Sequence, residues 1–391
     1  MQQEALLFQV GTSPQRKKPI KRAKLGRYES VKRQLGERPD PNRVWVDIRK
    51  PAEATKAHGF IDLFCGAGGI TCGLTEAGLS PIAAVEFVPI ACDTHHRNFP
   101  NCKLHRGEIE KFKPTTALNE RELKRVAVVV GGPPCQGFSV AGFRNPADAR
   151  NQLFQEFVRV VREVQPPFFV MENVPGIVTL AQGAFFRAIL EAFDKIGYQT
   201  SVSILEAAAY GVPQIRARAI FVGNRIGWKN PFPSELLTPS NYKPIESALG
   251  GLPAWETDPE RNHEWTRHSK EMIKRIAKVP PGGSLYPSFV DAWKRQYPGV
   301  PSMTIKENHG GTHIHPHLDR VLSAREMARL QTFPDPFFFE GPMKKAMWQI
   351  GNAVPPRLAT AIGSALVPSL NALSSRRPDP HRNSPRQSLI G

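Results

Sequence analysis

The sequence predicts an α/β protein: a doubly wound, mostly parallel sheet accompanied by a second, smaller domain of irregular structure. Three observations carry that reading. Short β-branched runs such as Val126-Ala127-Val128-Val129-Val130 are too brief for helices and suit strands buried on both faces. Amphipathic stretches of helical period lie between such runs, the alternation a parallel sheet requires. From about residue 224 this texture gives way to frequent Pro, Gly and Trp with weak periodicity.

Taken in order, residues 1–57 are polar and basic, with Arg16-Lys17-Lys18 and Lys21-Arg22 close together, and read as a flexible basic arm. Val44-Trp45-Val46 is the spot in it suited to packing on a core. Regular structure is expected to begin near Gly59. A strand over 60–64 leads through the glycine turn Gly66-Ala67-Gly68-Gly69 into a helix over 70–77, which Gly78 closes. A strand over 81–85 and a helix over 90–98 follow. Strands over 126–130 and 168–171 flank a helix over 153–164. A helix over 184–196 precedes a pair of strands near 201–205 and 219–222. Ser323 with Glu326 spells a capping box for a helix over 323–330, and helical pattern returns over 356–366. The divisions are thus an arm (1–57), a main domain (58–224 with 323–370), a smaller one (225–322), and a Ser-, Arg- and Pro-rich tail (371–391) expected to be disordered.

With 391 residues the chain is long enough for two cores, and its 40% hydrophobic and 22% charged residues are those of a globular protein. The net charge of +17 implies a polyanionic partner, nucleic acid first, because phosphate neutralisation supplies most non-specific affinity. Five cysteines, Cys65, Cys72, Cys92, Cys102 and Cys135, form no C-x-x-C pair, which argues against a disulfide framework or a structural zinc and fits a reducing cytosol. No apolar run reaches the ~20 residues of a membrane span and no signal-peptide core is visible, so no membrane partner is expected.

Two loops carry candidate chemistry. Gly131-Gly132-Pro133-Pro134-Cys135-Gln136-Gly137-Phe138-Ser139 holds a thiol at the carboxyl end of a strand, the edge where open α/β sheets bind ligands. Cys135 there reads as a nucleophile or as a small buried hydrophobe. The glycine turn suits a nucleotide, since backbone can approach the ligand and a helix N-terminus faces it. Glu86 ends the second strand, where an acid can accept both ribose hydroxyls. Gly66-x-Gly68-Gly69 is more compact than the dinucleotide fingerprint and suits a cofactor without a pyrophosphate. S-adenosylmethionine fits, its amino-acid end against residues 64–69 and Glu86 on its ribose; Phe87 either covers an adenine face or packs in the core.

Together these segments resemble the cytosine-C5 DNA methyltransferases over about 59–225 and 300–366. The motifs stand in the family's order: Asp62-Leu63-Phe64-Cys65-Gly66-Ala67-Gly68-Gly69, then Glu86, then the Cys135 loop, then Glu172-Asn173-Val174 and Gln214-x-Arg216-x-Arg218. Arg325-Glu326-x-Ala328-Arg329-Leu330-Gln331-x-Phe333-Pro334-Asp335 and Gln349-Ile350-Gly351-Asn352-Ala353-Val354-Pro355-Pro356 close the set. One position departs: Glu108, before Ile109, stands where the family usually has Asp on the adenine amino group.

The resemblance implies a Rossmann-like methyltransferase fold, S-adenosylmethionine as cofactor, and a cytosine methylated at C5. It assigns the cofactor to Phe64, Gly66, Ala67, Gly68 and Gly69, to Glu86 and Phe87, to Glu108 and Ile109, and to Pro134 with Asn352, Ala353 and Val354. Cys135 attacks C6, Glu172 serves N3, Arg218 holds O2 and orients Glu172, and Arg216 supports them; Asn173 fixes the loop. Gln214, Arg216 and Arg218 alternate as along one strand, projecting from one face. The base must leave the stack, and residues 140–152, with Arg144 and Arg150 able to meet phosphate, read as a lid over it. Gln136 and Ser139 are assigned to DNA, as is Thr304 of Ser302-Met303-Thr304-Ile305, within the family's target-recognition region. His309, His313, His315 and His317 read as loop packing or DNA contact, without a metal. The implied protein is a monomeric bacterial enzyme of the cytoplasm and nucleoid, acting on double-stranded DNA. It is the modification half of a restriction system whose endonuclease shares the site without a stable complex. A transfer-RNA methyltransferase of the same fold is the alternative. A catalytically inactive DNA-binding relative is disfavoured by the presence of Cys135, Glu172 and Arg218.

Overall fold

The computed structural model describes residues 40–50, 52–53, 58–134, 149–286, 288, 293–306 and 313–376. Cys135, Gln136, Ser139, Arg144 and His309, with most of the arm and of the tail, lie outside the described residues, and Arg150 is described only as part of a helix. After a strand β1 (Arg43–Val46) come the seven strands of the main sheet: β2 (Gly59–Leu63), β3 (Ser80–Glu86), β4 (Lys103–Arg106), β5 (Val126–Gly131), β6 (Phe168–Asn173), β7 (Gln199–Glu206) and β8 (Ala217–Asn224). Their order is β4-β3-β2-β5-β6-β8-β7. All neighbours are parallel except β8, which runs antiparallel to both β6 and β7. The short connection from β7 to β8 permits only an antiparallel return, whereas the parallel pairs are joined through helices.

Helices α1 (Gly69–Glu76), α2 (Pro89–Asn98), α3 (Ala149–Val164) and α4 (Ala184–Asp194) follow the early strands. α5 (Lys270–Ala277), α6 (Ala324–Leu330), α7 (Met343–Asn352) and α8 (Pro356–Arg376) come later. Alternate residues of β2 and β5 feed opposite faces, as strand geometry requires. Ile61, Leu63 and Val129 meet Phe157 of α3 and Phe193 of α4; Phe60, Val128 and Val130 share a core with Leu74 of α1 and Leu358 and Leu366 of α8. Each such side chain, fully buried, stabilises the fold by about 1.5–3 kcal/mol. The α1–α8 contact is close: a Cβ on Gly73 would lie 2.2 Å from the Pro356 carbonyl oxygen. α8 supplies much of this core through Leu358, Ile362, Leu366 and Leu370.

The helix capped by Ser323 and Glu326, the Gly78 stop at φ 91° and the sheet's largely parallel order follow the sequence reading. Among the segments it named, four features depart from it. Regular structure begins ahead of Gly59, because β1 pairs in parallel with β9 (Asn230–Pro233), giving an otherwise open strand its hydrogen-bond partners. Trp45 packs at 6.0 Å between ring centroids on Phe232, and the Arg43 guanidinium lies 5.1 Å over Trp45. Gln214 and Arg216 precede the strand rather than lie along it. The Arg216 N–H donates to the Glu206 carboxylate (2.6 Å) and so leaves the ladder, which starts at Ala217. α3 starts at Ala149, inside the stretch read as a lid. α8 runs to Arg376, past both 366 and the expected start of the tail.

Residues 225–322 contain, among those described, β9, α5 and two-residue strands β10 (Lys294–Arg295) and β11 (His313–Ile314). Their small core is Ile276, Val279, Ile314 and Val321. Guanidiniums supply much of the rest. Arg295, nearly fully buried, donates to the carbonyls of Ile276, Val279, His315 and Leu318 and to Asp319. Arg320 grips Glu326 through two bonds of 2.8 Å, reaches Ala254 and Val321, and lies 4.2 Å over Trp265. Arg325 binds the carbonyls of Arg261, Pro334 and Phe337.

Candidate active site

The carboxyl ends of β2, β3, β5 and β6 bring two loops together. At the first, the chain leaves β2 through Phe64, held at φ 59°, a region costly for a non-glycine residue and found where structure over-determines a turn. Gly66 and Gly68 are also left-handed, at φ 53° and 97°. The turn is pinned from β3. Glu86, 7% exposed, accepts the Gly66 N–H on Oε2 (2.9 Å), and the Phe87 and Val88 N–H groups on Oε1 (2.9 and 2.8 Å). Oε1 thus accepts two backbone N–H groups and Oε2 one. Phe87 is 64% exposed, which excludes core packing for it and leaves its face open to a ligand.

Behind the turn, a Cβ on Gly69 would lie 2.3 Å from the Val354 carbonyl oxygen. The Asn352–Val354 segment, distant in sequence, therefore touches the glycine turn through a gap only glycine leaves. Asn352 is exposed, Ala353 half-buried, and the Ala67 and Val354 side chains are buried. Ile109 is buried in the core, and its carbonyl accepts a hydrogen bond from Arg159 (2.9 Å). Glu108 is exposed and paired with Lys111 (2.9 Å), whose hydrogen bond and charge hold its carboxyl below the usual range. Sequence reasoning missed a buried chain beneath the turn: Thr71 Oγ1 donates to Asp62 Oδ2 (2.6 Å) and lies 3.1 Å from His95 Nε2. Burial pushes the Asp62 carboxyl up to about 7 and the His95 imidazole down to about 4.

The second loop springs from β5. A Cβ on Gly131 would lie 2.2 Å from the Leu63 carbonyl oxygen, and one on Gly132 only 2.9 Å from Glu172 Oε2. Asn173 Nδ2 donates to the Pro133 carbonyl (3.0 Å), fixing the loop's stem as the sequence suggested, and Pro134 is exposed at the end of the described stretch. Glu172, next to last in β6, receives the Arg218 Nε hydrogen bond on Oε1 at 2.6 Å; both side chains are mostly buried. Arg218 is placed by the antiparallel β7–β8 ladder, opposite Leu205. Its guanidinium fixes one carboxylate oxygen and leaves the other beside the loop that leads to Cys135.

Arg216 and Gln214 join distant segments. Arg216 donates to the carbonyls of Ile305 (2.6 Å), Gly351 (3.0 Å) and Ala353 (2.9 Å), and so ties the cofactor-side turn to 302–306. Gln214 accepts the Ile305 N–H and donates to Gln331, which itself donates to Ile350. Their alternation with Arg218 was visible in the sequence; that they bridge segments was not. Thr304 donates its hydroxyl to the Ile215 carbonyl (2.6 Å), beside this hub. The described histidines take separate partners: His313 meets Gln296, His315 meets Glu326, and His317 meets Glu246. Burial raises every described thiol, Cys65 well above its ordinary value, Cys92 to about 11, and Cys72 and Cys102 to about 12.

Residues 58–368 match the profile of the C-5 cytosine-specific DNA methylases. The chain belongs to that family. It is therefore a DNA cytosine-5 methyltransferase that uses S-adenosylmethionine, in keeping with the open Phe87 and the glycine turn pinned by Glu86. It is 39% identical over 323 residues to the Type II methyltransferase M1.HphI of Haemophilus parahaemolyticus, covering 79% of this chain and 86% of that one. To the Type II methyltransferase M.DdeI of Desulfomicrobium norvegicum it is 34% identical over 371 residues, covering 78% and 88%. Among solved structures, a protein described as a DNA modification methyltransferase encoded within an E. coli prophage superposes with a TM-score of 0.65 at 30% identity, covering 80% of this chain and 99% of that one. The S. pombe Dnmt2 methyltransferase shares the fold with a TM-score of 0.60 at 17% identity, covering 80% and 99%.

Proposed function

We propose that this methyltransferase is the modification enzyme of a bacterial type II restriction system, working as a monomer in the cytoplasm on chromosomal duplex DNA. The endonuclease would read the same sequence without a stable complex. The observation that carries the chemistry is the Arg218–Glu172 pair beside Gly132, on the sheet edge that also holds the glycine turn. With a cytosine flipped out of the duplex, the Cys135 thiolate adds to C6 and charge develops on the ring. Glu172 shares a proton at N3, and Arg218 holds Glu172 and donates to O2. S-adenosylmethionine supplies the electrophilic methyl group for C5. Transfer of the C5 proton to water then lets the C–H electron pair restore the C5–C6 double bond and expel the Cys135 thiolate. Burial makes the four described thiols poor nucleophiles, which supports giving this role to Cys135.

Arg216 acts as a positioning residue that ties the 351–353 segment behind the glycine turn to residues 302–306, and residues 225–322 recognise the target. Gln136, Ser139, Arg144 and Arg150 contact DNA from the Cys135 loop and the residues after it, and Thr304 from the recognition side. Methyl transfer from labelled cofactor, compared on duplex DNA and transfer RNA, tests the reading. Label is expected at C5 of cytosine in one duplex sequence, and label on transfer RNA alone would overturn it. Cys135→Ala is expected to abolish transfer and trapping on 5-fluorocytosine DNA while cofactor binding persists; sustained methylation by that variant would refute the thiolate role.

A further inference from the structure

We infer that the exposed basic stripe of α5 holds the DNA phosphate backbone outside the recognised sequence. The inference rests on duplex DNA being the substrate and says which surface, away from the catalytic loops, the duplex lies against. α5 buries Ile276 against Val279, Ile314 and Val321, with Met272 packed beside them. Lys270, Lys274 and Lys278 are spaced four apart and fall on the opposite side of the helix, all exposed, with exposed Arg267 just before it.

Two features separate this stripe from an ordinary solvated face. Four lysines elsewhere on the surface are neutralised locally, Lys103 by Glu122, Lys111 by Glu108, Lys124 by Glu120 and Lys195 by Glu191. Others such as Lys113, Lys229 and Lys243 are unpaired among the described residues but do not line up along one helix face. Among the described residues, Lys270, Lys274 and Lys278 enter no ion pair, although Glu271 lies on the same helix. Second, Lys270 occupies the first helical position, where the helix dipole disfavours a cation, so local helix stability does not explain it. The stripe is about 12 Å long at 1.5 Å per residue. At about 3.4 Å of duplex axis per phosphate on each strand, a stripe aligned with the axis spans three or four phosphate steps. The helix is also rigidly carried. Arg295 binds the Ile276 and Val279 carbonyls at its C-terminal end, and Gln296, the next residue, accepts the Met303 N–H beside Thr304. A contact made by α5 is thus held in fixed register with the segment that meets the catalytic hub.

The test replaces all three lysines in the full chain (Lys270→Gln, Lys274→Gln, Lys278→Gln), glutamine matching lysine in helix propensity. Affinity for duplex DNA is measured across a salt series around physiological strength, with circular dichroism confirming the fold. The slope of log affinity against log salt is expected to flatten by about 0.9 for each phosphate the stripe ceases to neutralise. The methylated sequence is expected to stay the same, and the matching Lys→Arg triple variant to restore the slope. An unchanged slope in a folded glutamine variant would overturn the inference, as would a change in the sequence methylated. A wild-type protein that fails to bind or methylate duplex DNA would instead sink the substrate reading itself, and this inference with it.

Discussion

The cofactor edge and the 225–322 region are held by opposite chemistries. At the cofactor edge one acceptor gathers donors: the Glu86 carboxylate collects the N–H groups of Gly66, Phe87 and Val88. In the other region donors gather acceptors, with Arg295 and Arg320 each binding several backbone carbonyls and Arg325 doing the same at the junction with α6. The first arrangement hangs on a sheet whose register already places Glu86 and Glu172. The second stands in for a sheet, satisfying buried carbonyls that no ladder reaches. Regularity supports the chemistry, and guanidinium hubs allow a region of irregular shape to be rigid.

Breaking a hub is expected to produce the largest effect. Burial alone would raise the Glu326 carboxyl, but the Arg320 hydrogen bonds and charge hold it below the usual range. Arg320→Met leaves that charge buried without its partner, at a cost of about 3–5 kcal/mol. Thermal unfolding is expected to fall sharply and DNA affinity with it, while cofactor affinity measured below the transition is unchanged. Equal loss of cofactor affinity would show the two regions to be one unit. Glu172→Gln probes the sheet edge instead. It is expected to lower kcat by ~10²–10³, with unfolding temperature and cofactor affinity preserved; a defect confined to cofactor binding would contradict the role given to it.

The same contrast decides how much of the molecule was legible in the sequence. Glu86, Glu172 and the loop stem over 131–134 could be placed because hydrophobic runs mark strands, and the end of a strand positions the residues immediately after it. The Arg216 clamp was half legible: its spacing from Arg218 was plain, but its partners, Ile305, Gly351 and Ala353, are backbone carbonyls that no residue type announces. Nothing in the sequence singles out Arg295 or Arg320, because a lone arginine in a Pro- and Gly-rich stretch gives no sign of burial. β4 was missed since Lys-Leu-His-Arg lacks an apolar face. Asp62 was legible as part of a motif, yet its bond to Thr71 depends on a helix lying across the strand.

Two smaller effects sharpen the comparison. Glu86→Gln turns an amide N–H₂ toward backbone donors, and hydrogen bonds to a charged acceptor are each worth about 1.5–3 kcal/mol. Calorimetry is expected to show cofactor binding weakened by tens of fold with DNA binding retained; unchanged cofactor affinity would remove Glu86 from the site. The smallest effect concerns the basic arm. A chain beginning at Asp40 keeps β1 and is expected to show only a shallower salt dependence of DNA binding, by about 0.9 for each phosphate the arm had neutralised. Beginning at His58 also removes β1 and is expected to lower the unfolding temperature by a few degrees, since ~1 kcal/mol shifts it by about 2–4 °C in large domains. A change in the methylated sequence with either chain would mean the arm reads bases.

The close seat of α1 on α8 has a consequence for how the enzyme is made. Thr360 bonds Glu76 across 284 positions, and Gly73 lies against Pro356. At ~5–20 residues per second on the ribosome, the apolar side of α1 waits roughly 15–60 s for its cover. During that interval Leu74 has no α8 to pack against, and the glycine turn lacks the Ala353–Val354 backing that completes it. Cofactor capture is therefore expected to come late in biogenesis: the first helix among the described residues is among the last to be buried.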